Sequence, residues 1–353
     1  MKKRIALSIL TLSFVLNLSA QTCIDRIQNT GYLYVAIPDT IYNEVDSIRF
    51  VMSPHNPENP TVIFASGSGN GTLFFTTDEY PDHAFINLPF DIHEYGKDFN
   101  FVYISKPGTP LCTAWNPNPP LIDTTYPDIM TFYKMDFLDY YVNQMNQVID
   151  YVNKLSDSPI YLIGGSQGGH VVAKYASVHK DKVKKIVPYS CGILDRLYEE
   201  ILEWRKQADL GKVSHEDAQK NIDMLHKRYA GNRKFQSFFK QYPNAEISGL
   251  PENHYRGMTD CSYNFDDISL NHLLQIDIPI LCVYGTDDIK ARDNDMLPSF
   301  FTRADKENLT MLPKLYCDHF FIERKPNPQT GKVEEKYIGH EVFNEIFQWL
   351  KEK

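Results

Sequence analysis

Apolar residues along this chain fall into two alternating patterns. Short, nearly continuous apolar runs occupy residues 32–37, 47–52, 61–65, 100–104, 159–163, 185–189, 279–284 and 309–315. Between or after them, residues 136–155, 169–179, 291–304 and 340–351 carry apolar side chains at helical spacing. A strand buried on both faces needs no polar alternation, and most of the later runs show none, so they predict a sheet covered by helices on both sides. The repeated strand-helix alternation predicts an α/β fold with a doubly wound, mostly parallel sheet. In the last helical stretch Val342, Phe343, Ile346, Phe347 and Leu350 share one stripe, which should close over that sheet.

Two stretches break the rhythm. Residues 194–270 contain no convincing strand; Leu194, Leu197, Tyr198, Ile201 and Leu202 make one amphipathic face, and Ala218, Ile222, Leu225 and Tyr229 a second after the N-cap candidate Ser214. An aromatic piece, Phe235, Phe238 and Phe239, follows. Such faces must cover something, and the end of the sheet that carries chemistry is the natural candidate, so the insertion is expected to be a helical lid; the alternative is an inert insertion. Residues 106–130 are rich in Pro and Asn and are expected to form a long loop above the sheet. Trp115 in that loop is a candidate for lining a substrate pocket.

The length of 353 residues, with 42% hydrophobic and 13% aromatic content, suffices for one large core plus an insertion. A formal charge of -9 without clustered Lys and Arg argues against a nucleic-acid partner. Lys2, Lys3 and Arg4, the apolar segment 5–18 and Ser19-Ala20 have the three parts of a secretory signal, with cleavage expected after Ala20. That apolar segment is short for a permanent membrane span. The expected organisation is a signal peptide at 1–20, a catalytic domain built from 21–193 and 271–353, and a lid at 194–270. Export to the periplasm or beyond would permit disulfides among the six cysteines, while Cys191 and Cys282 are expected in buried strands. No Cys-x-x-Cys and no histidine cluster suggests a metal site.

The chemistry concentrates at Gly164-Gly165-Ser166-Gln167-Gly168-Gly169, placed between a predicted strand and a predicted helix. Gly-x-Ser-x-Gly arises by accident in roughly one chain in ten of this length, so the motif alone is weak. Its setting gives it weight, because a serine at the apex of a strained strand-to-helix turn has its hydroxyl pushed out where a carbonyl can reach it. Serine needs a base to accept its proton, and histidine suits that exchange near neutral pH. His319 follows the last predicted strand, where the chain returns to the serine's edge of the sheet; His254, His272 and His340 are rivals. The base in turn needs a buried carboxylate. Asp288, three residues beyond Gly285 at the end of another strand, is preferred to its neighbour Asp287, while Asp318 reads as a turn residue.

Attack on a carbonyl creates an oxyanion that fixed backbone N–H groups stabilise. The amide of Gln167 is one expected donor. The loop Ser66-Gly67-Ser68-Gly69-Asn70-Gly71 should supply the other, with Ser68 preferred to Gly67. Read as a phosphate cradle, this loop lacks the Gly-Lys-Ser/Thr ending.

The strand order, Gly164-Gly165-Ser166-Gln167-Gly168, Gly285-Thr286-Asp287-Asp288 and Asp318-His319-Phe320-Phe321 together resemble the α/β-hydrolase family. The resemblance spans about residues 32–353 and implies a Ser166, Asp288, His319 triad with no cofactor. It departs from the pattern at Ser66-Gly67-Ser68, where many relatives have His-Gly. The reading is an exported serine hydrolase acting on a small carboxylic ester through an acyl-enzyme. A peptidase on short peptides is the first alternative, for which Glu199, Glu200 and Glu203 offer a charged subsite against the ordinary reading of a solvated helix face. A non-catalytic binding protein on the same fold is the second.

Overall fold

The computed structural model describes residues 23–42, 45–194, 196–241 and 268–352, of which 232–241 as backbone alone. A short helix, α1 (23–29), leads into β1 (Leu33–Pro38), β2 (Ser47–Met52), β3 (Thr61–Ala65), β4 (Phe74–Thr76) and β5 (Phe85–Ile86). Then come α2 (Ile92–Tyr95), β6 (Asn100–Ile104), β7 (Cys112–Ala114), α3 (Ile129–Met135), α4 (Leu138–Val152), β8 (Ile160–Gly165), α5 (Gln167–Val178) and β9 (Lys185–Tyr189). After the helices α6 (Arg196–Asp209), α7 (His215–Gln241) and α8 (Ser269–Leu273) the chain returns with β10 (Ile280–Gly285). A 3-10 turn (Arg292–Met296), α9 (Leu297–Arg303), β11 (Leu309–Lys314), β12 (Ile322–Pro326), β13 (Val333–Tyr337) and α10 (Gly339–Lys351) complete it.

Eight strands form one sheet in the order β1-β2-β6-β3-β8-β9-β10-β11. The first two pairings are antiparallel and all those from β6 to β11 are parallel. All eight are the expected strands. Their continuous apolar runs are explained by burial on both faces: Ile63, Leu162, Ile186, Ile280 and Cys282 point to the side of α4, α5 and α9, whereas Val62, Phe64, Ile163, Val187 and Leu281 point to the side of α2 and α10. Val342, Phe343, Ile346, Phe347 and Leu350 of α10 are buried on that second side. Full burial of side chains of this size contributes about 1.5–3 kcal/mol each.

Helices α6 and α7 pack antiparallel, as two cross-links show: Arg205 Nη2 donates to Gln219 Oε1 at 2.5 Å, and Arg228 pairs with Glu200 at 2.7 Å. Leu197, Ala218, Ile222 and Leu225 of these helices are buried, while Tyr198 is exposed. Phe235, Phe238 and Phe239 fall outside the side chains described.

The segment 106–130 differs from the expected loop. Within it β7 pairs with β4, which pairs with β5, giving a second sheet of three short strands. A disulfide joins Cys23 of α1 to Cys112 of β7 across 89 residues, with a Cα separation of 6.1 Å. A hairpin, β12–β13, also stands between His319 and the closing helix. The strands of the small sheet have two or three residues, too few for a periodic signal, and those of the hairpin are polar and mostly exposed, so neither registers in the sequence. Among the described residues no helix is long and apolar enough to cross a membrane.

Candidate active site

Strand β8 ends at Gly165 and α5 starts at Gln167, so the whole reversal is made by Ser166, whose backbone sits at φ 51°, ψ -120°. A non-glycine residue there costs of order 1–3 kcal/mol and persists only when its surroundings enforce it. The surroundings do so by close packing of backbone and side chains. A Cβ at Gly164 would collide with the Gly168 carbonyl, one at Gly168 with the Ala65 carbonyl at the end of β3, one at Gly165 with the Tyr189 ring, and one at Gly169 with the Cys191 side chain. Four glycines therefore let β3, β8, β9 and α5 converge on one serine.

Parallel register brings the other groups to the same edge. Ala65 lies opposite Gly164, so the loop leaving β3 runs past the serine, and a Cβ at Gly67 would be only 3.4 Å from that of Ser166. Gly285 of β10 lies opposite Lys314 of β11, and the two loops that follow are interlocked. Thr286 N donates to Lys314 O and Asp287 N to Cys317 O, both at 2.9 Å. This crossing holds His319 over Asp288, with 2.7 Å between His319 Nδ1 and Asp288 Oδ2. The Asp288 side chain is 2% exposed and that of His319 18%. A carboxylate only accepts, so the imidazole hydrogen belongs on Nδ1 and Nε2 is left as the basic atom. The other Asp288 oxygen accepts from Lys290 N at 3.0 Å, and Ser190 Oγ donates to the His319 carbonyl at 2.9 Å.

The remaining candidates are distributed as follows. Asp287 is exposed and tied through its backbone N–H. Asp318 accepts from Phe320 N and Ile322 N and pairs with Arg324 at 2.7 Å, the work of a turn residue. His272 is buried against Ser177 Oγ at 2.9 Å, His340 stands against the Tyr337 ring, and His254 lies outside the described residues. Ser166, His319, Gln167 and Ser68 all line one cavity.

Trp115 is not among the residues lining that cavity. It is 57% exposed and packs on Phe75 with 4.7 Å between ring centroids. The reason is the small sheet: pairing of β7 with β4, and the bond from Cys112 to Cys23, hold the adjacent tryptophan on that outer structure. Instead the wall includes Tyr141 of α4, His170 of α5, Ser190 after β9, Lys290, and Arg196 and Glu199 of α6. Ser190 could have been found from its place at the carboxyl end of a strand; Tyr141 carries no local signal.

The cavity holds two groups with displaced titration. Burial pushes the Glu199 carboxyl up to about 8, with Asp293 and Asp288 adding to the rise and Lys290 and Arg196 opposing it. Burial also pushes the His170 imidazole down to about 4, assisted by His272, and its Nδ1 shares a hydrogen with Ser269 Oγ at 2.5 Å. Gln167 is held through its side chain as well: Lys106 Nζ donates to Oε1 at 2.7 Å, and Nε2 donates to Asp136 Oδ1 at 3.1 Å.

Comparison with known proteins agrees with this architecture. The family model described as the alpha/beta hydrolase fold matches residues 111–307, more than half of the chain. The chain belongs to the alpha/beta hydrolase family. Among solved structures it is similar to a protein of Bacteroides ovatus assigned as a dipeptidyl aminopeptidase IV, at 10% identity and TM-score 0.51, over 91% of this chain and 35% of that one. It is also similar to an acylaminoacyl peptidase of Pyrococcus horikoshii (12% identity, TM-score 0.44, 82% and 37% covered) and to a monoacylglycerol lipase of Paleococcus ferrophilus (15%, 0.46, 86% and 98%). The chain spans little more than a third of the length of either peptidase. A search of curated proteins gives no match.

Proposed function

We propose that this protein is a serine hydrolase that cleaves small carboxylic esters through an acyl-enzyme. The observation carrying the reading is the 2.7 Å contact of His319 with buried Asp288 at the rim of the cavity that holds strained Ser166. In this reading Ser166 Oγ attacks the substrate carbonyl carbon and His319 Nε2 takes its proton. The carbonyl oxygen becomes an oxyanion facing the amides of Gln167 and Ser68, worth a factor of about 100–1000 in rate per donor in comparable sites. Collapse expels the alcohol, protonated by His319. Water, deprotonated by the same imidazole, then attacks the acyl carbon, and the acid leaves with Ser166 restored.

The wall is rich in hydrogen-bonding groups (Ser68, Gln167, Ser190, Glu199, Lys290), which favours short polar substrates over long alkyl chains. Glu199 and Lys290 of the same wall support the second reading, a peptidase on short peptides, since each could hydrogen-bond a peptide terminus. Helices α6 and α7 act here as the lid, with α6 supplying Arg196 and Glu199 to the wall. Residues 1–20 are read as a signal peptide, which lies outside the described residues; the Cys23–Cys112 bond is compatible with export.

A fluorophosphonate probe tests the reading directly. The folded parent should be labelled and Ser166→Ala should not. A folded parent that resists the probe would favour a non-catalytic binding protein. Turnover of short acyl esters against aminoacyl amides then separates esterase from peptidase.

A further inference from the structure

We propose that Lys106, Gln167 and Asp136 form a positioning network for acyl transfer, in which the side chain of the residue after the nucleophile is clamped so that its backbone N–H faces the oxyanion. The inference rests on the serine-hydrolase reading above and adds a role for Lys106, a residue outside the triad.

Gln167 begins α5, and its side chain is gripped between two other parts of the fold. Lys106, in the loop after β6, is 6% exposed and Asp136, between α3 and α4, is 5% exposed. Lysine can only donate and carboxylate only accept, so these two partners determine which way the Gln167 amide is turned: oxygen to Lys106, nitrogen to Asp136. Asp136 Oδ1 also accepts from Tyr141 OH at 2.6 Å, and Tyr141 lines the catalytic cavity. The Lys106 ammonium stands 5.2 Å from the Tyr141 ring centroid and 6.0 Å from that of Phe132. One glutamine thus joins the loop after β6, the α3–α4 junction and the first turn of α5.

Such a device answers two needs at this place. Ser166 is held at positive φ, and a strained turn requires surroundings that leave it no alternative. The amide of Gln167, one residue later, must point to where the oxyanion will form before it forms, because a donor that reorients during the reaction forfeits much of its effect. Glycines at 164, 165, 168 and 169 shape the turn but cannot anchor it laterally; the Gln167 side chain does. Lys106 also adds buried positive charge behind the first turn of α5, and Asp136 balances it across the amide.

The network is tested with Lys106→Met, Gln167→Met and the double variant. Gln167→Met keeps the length of the side chain, Lys106→Met shortens it by one atom, and both keep the backbone N–H of residue 167. Three quantities are measured on folded protein: labelling rate by a fluorophosphonate, kcat and KM for a short acyl ester, and affinity for a boronic acid that becomes a tetrahedral anion on the serine. Each single variant should lower kcat, labelling rate and boronate affinity together, by about 10- to 100-fold, with KM within about twofold of the parent. The double variant should be no worse than the poorer single, since the residues act as one unit. If Lys106→Met does not fold, Gln167→Met carries the same comparison.

Folded single variants with parental kcat and boronate affinity would overturn the network, as would a loss confined to KM or losses that multiply in the double variant. A parent that turns over the ester and is labelled, with variants that match it, rejects the network alone. A folded parent that is neither labelled nor active rejects the serine-hydrolase reading, and the network with it.

Discussion

Gly285 lies directly beneath the Cys317 carbonyl, so closely that a Cβ at 285 would collide with that oxygen and crowd the Asp318 carbonyl as well. The end of β10 and the loop bearing His319 are therefore in backbone contact, and the absence of a side chain at 285 sets the height of the imidazole over Asp288.

Gly285→Ala should lift that loop. Because a displacement of about 1 Å at reacting groups can cost on the order of 100-fold in rate, kcat is expected to fall by about that factor. Most of the core lies elsewhere, so the melting temperature should fall by only a few degrees. Steady-state kinetics beside a thermal melt checks both, and an active variant of lowered stability alone would refute the coupling.

The two neighbouring aspartates should behave differently. Asp288→Asn removes the acceptor that holds His319 in the productive tautomer, and kcat should drop by about 10^4-fold with the fold intact. Asp287→Asn alters an exposed side chain and should leave kcat within about twofold of the parent. Equal losses in the two variants would show that Asp288 does not serve the histidine.

Stability should be lost on both sides of a plateau between about pH 5 and 6.5, where the effects of two groups offset each other. Glu199 titrates near 8 in the folded chain, above its unfolded value, so the folded state holds the extra proton in between and stability declines as pH rises from about 5 through 8. His170 titrates near 4, below its unfolded value, so the unfolded state holds the extra proton and stability declines as pH falls from about 6.5 through 4. Glu199→Gln should flatten the alkaline limb and His170→Gln the acidic limb of a plot of melting temperature against pH. Unchanged limbs would contradict the assignment.

The Cys23–Cys112 bond closes a loop spanning 89 residues and ties α1 to the small sheet. Replacing both cysteines by serine should destabilise the fold by about 2–4 kcal/mol, read from denaturant melts, with little change in kcat because neither residue lines the cavity. Parental stability in the double serine variant would show that the bond contributes nothing.

Much of this protein is written in local sequence. The eight strands of the main sheet were legible because each is a short apolar run bounded by turn residues, and burial on both faces makes such runs continuous. The strained turn at Ser166 was legible because the close approach of β3, β8, β9 and α5 demands glycine at fixed offsets. Asp288 and His319 could be nominated from their places after strands β10 and β11. The small sheet of β4, β5 and β7 was not legible, for its strands are too short to show a period, and the position expected for Trp115 went with it.

The sequence by itself determined which segments become the strands of the main sheet and its longer helices and which residue types stand at the carboxyl ends of those strands, since both follow from patterns a few residues long. Tertiary structure alone decided which of two adjacent aspartates meets His319, that Tyr141 and Lys290 share a cavity with Ser166, and that Lys106 and Asp136 grip Gln167 from opposite sides. Those pairings join residues about 25 to 125 positions apart. Strand order and register bring such residues together, and neither is encoded in any short window of the chain.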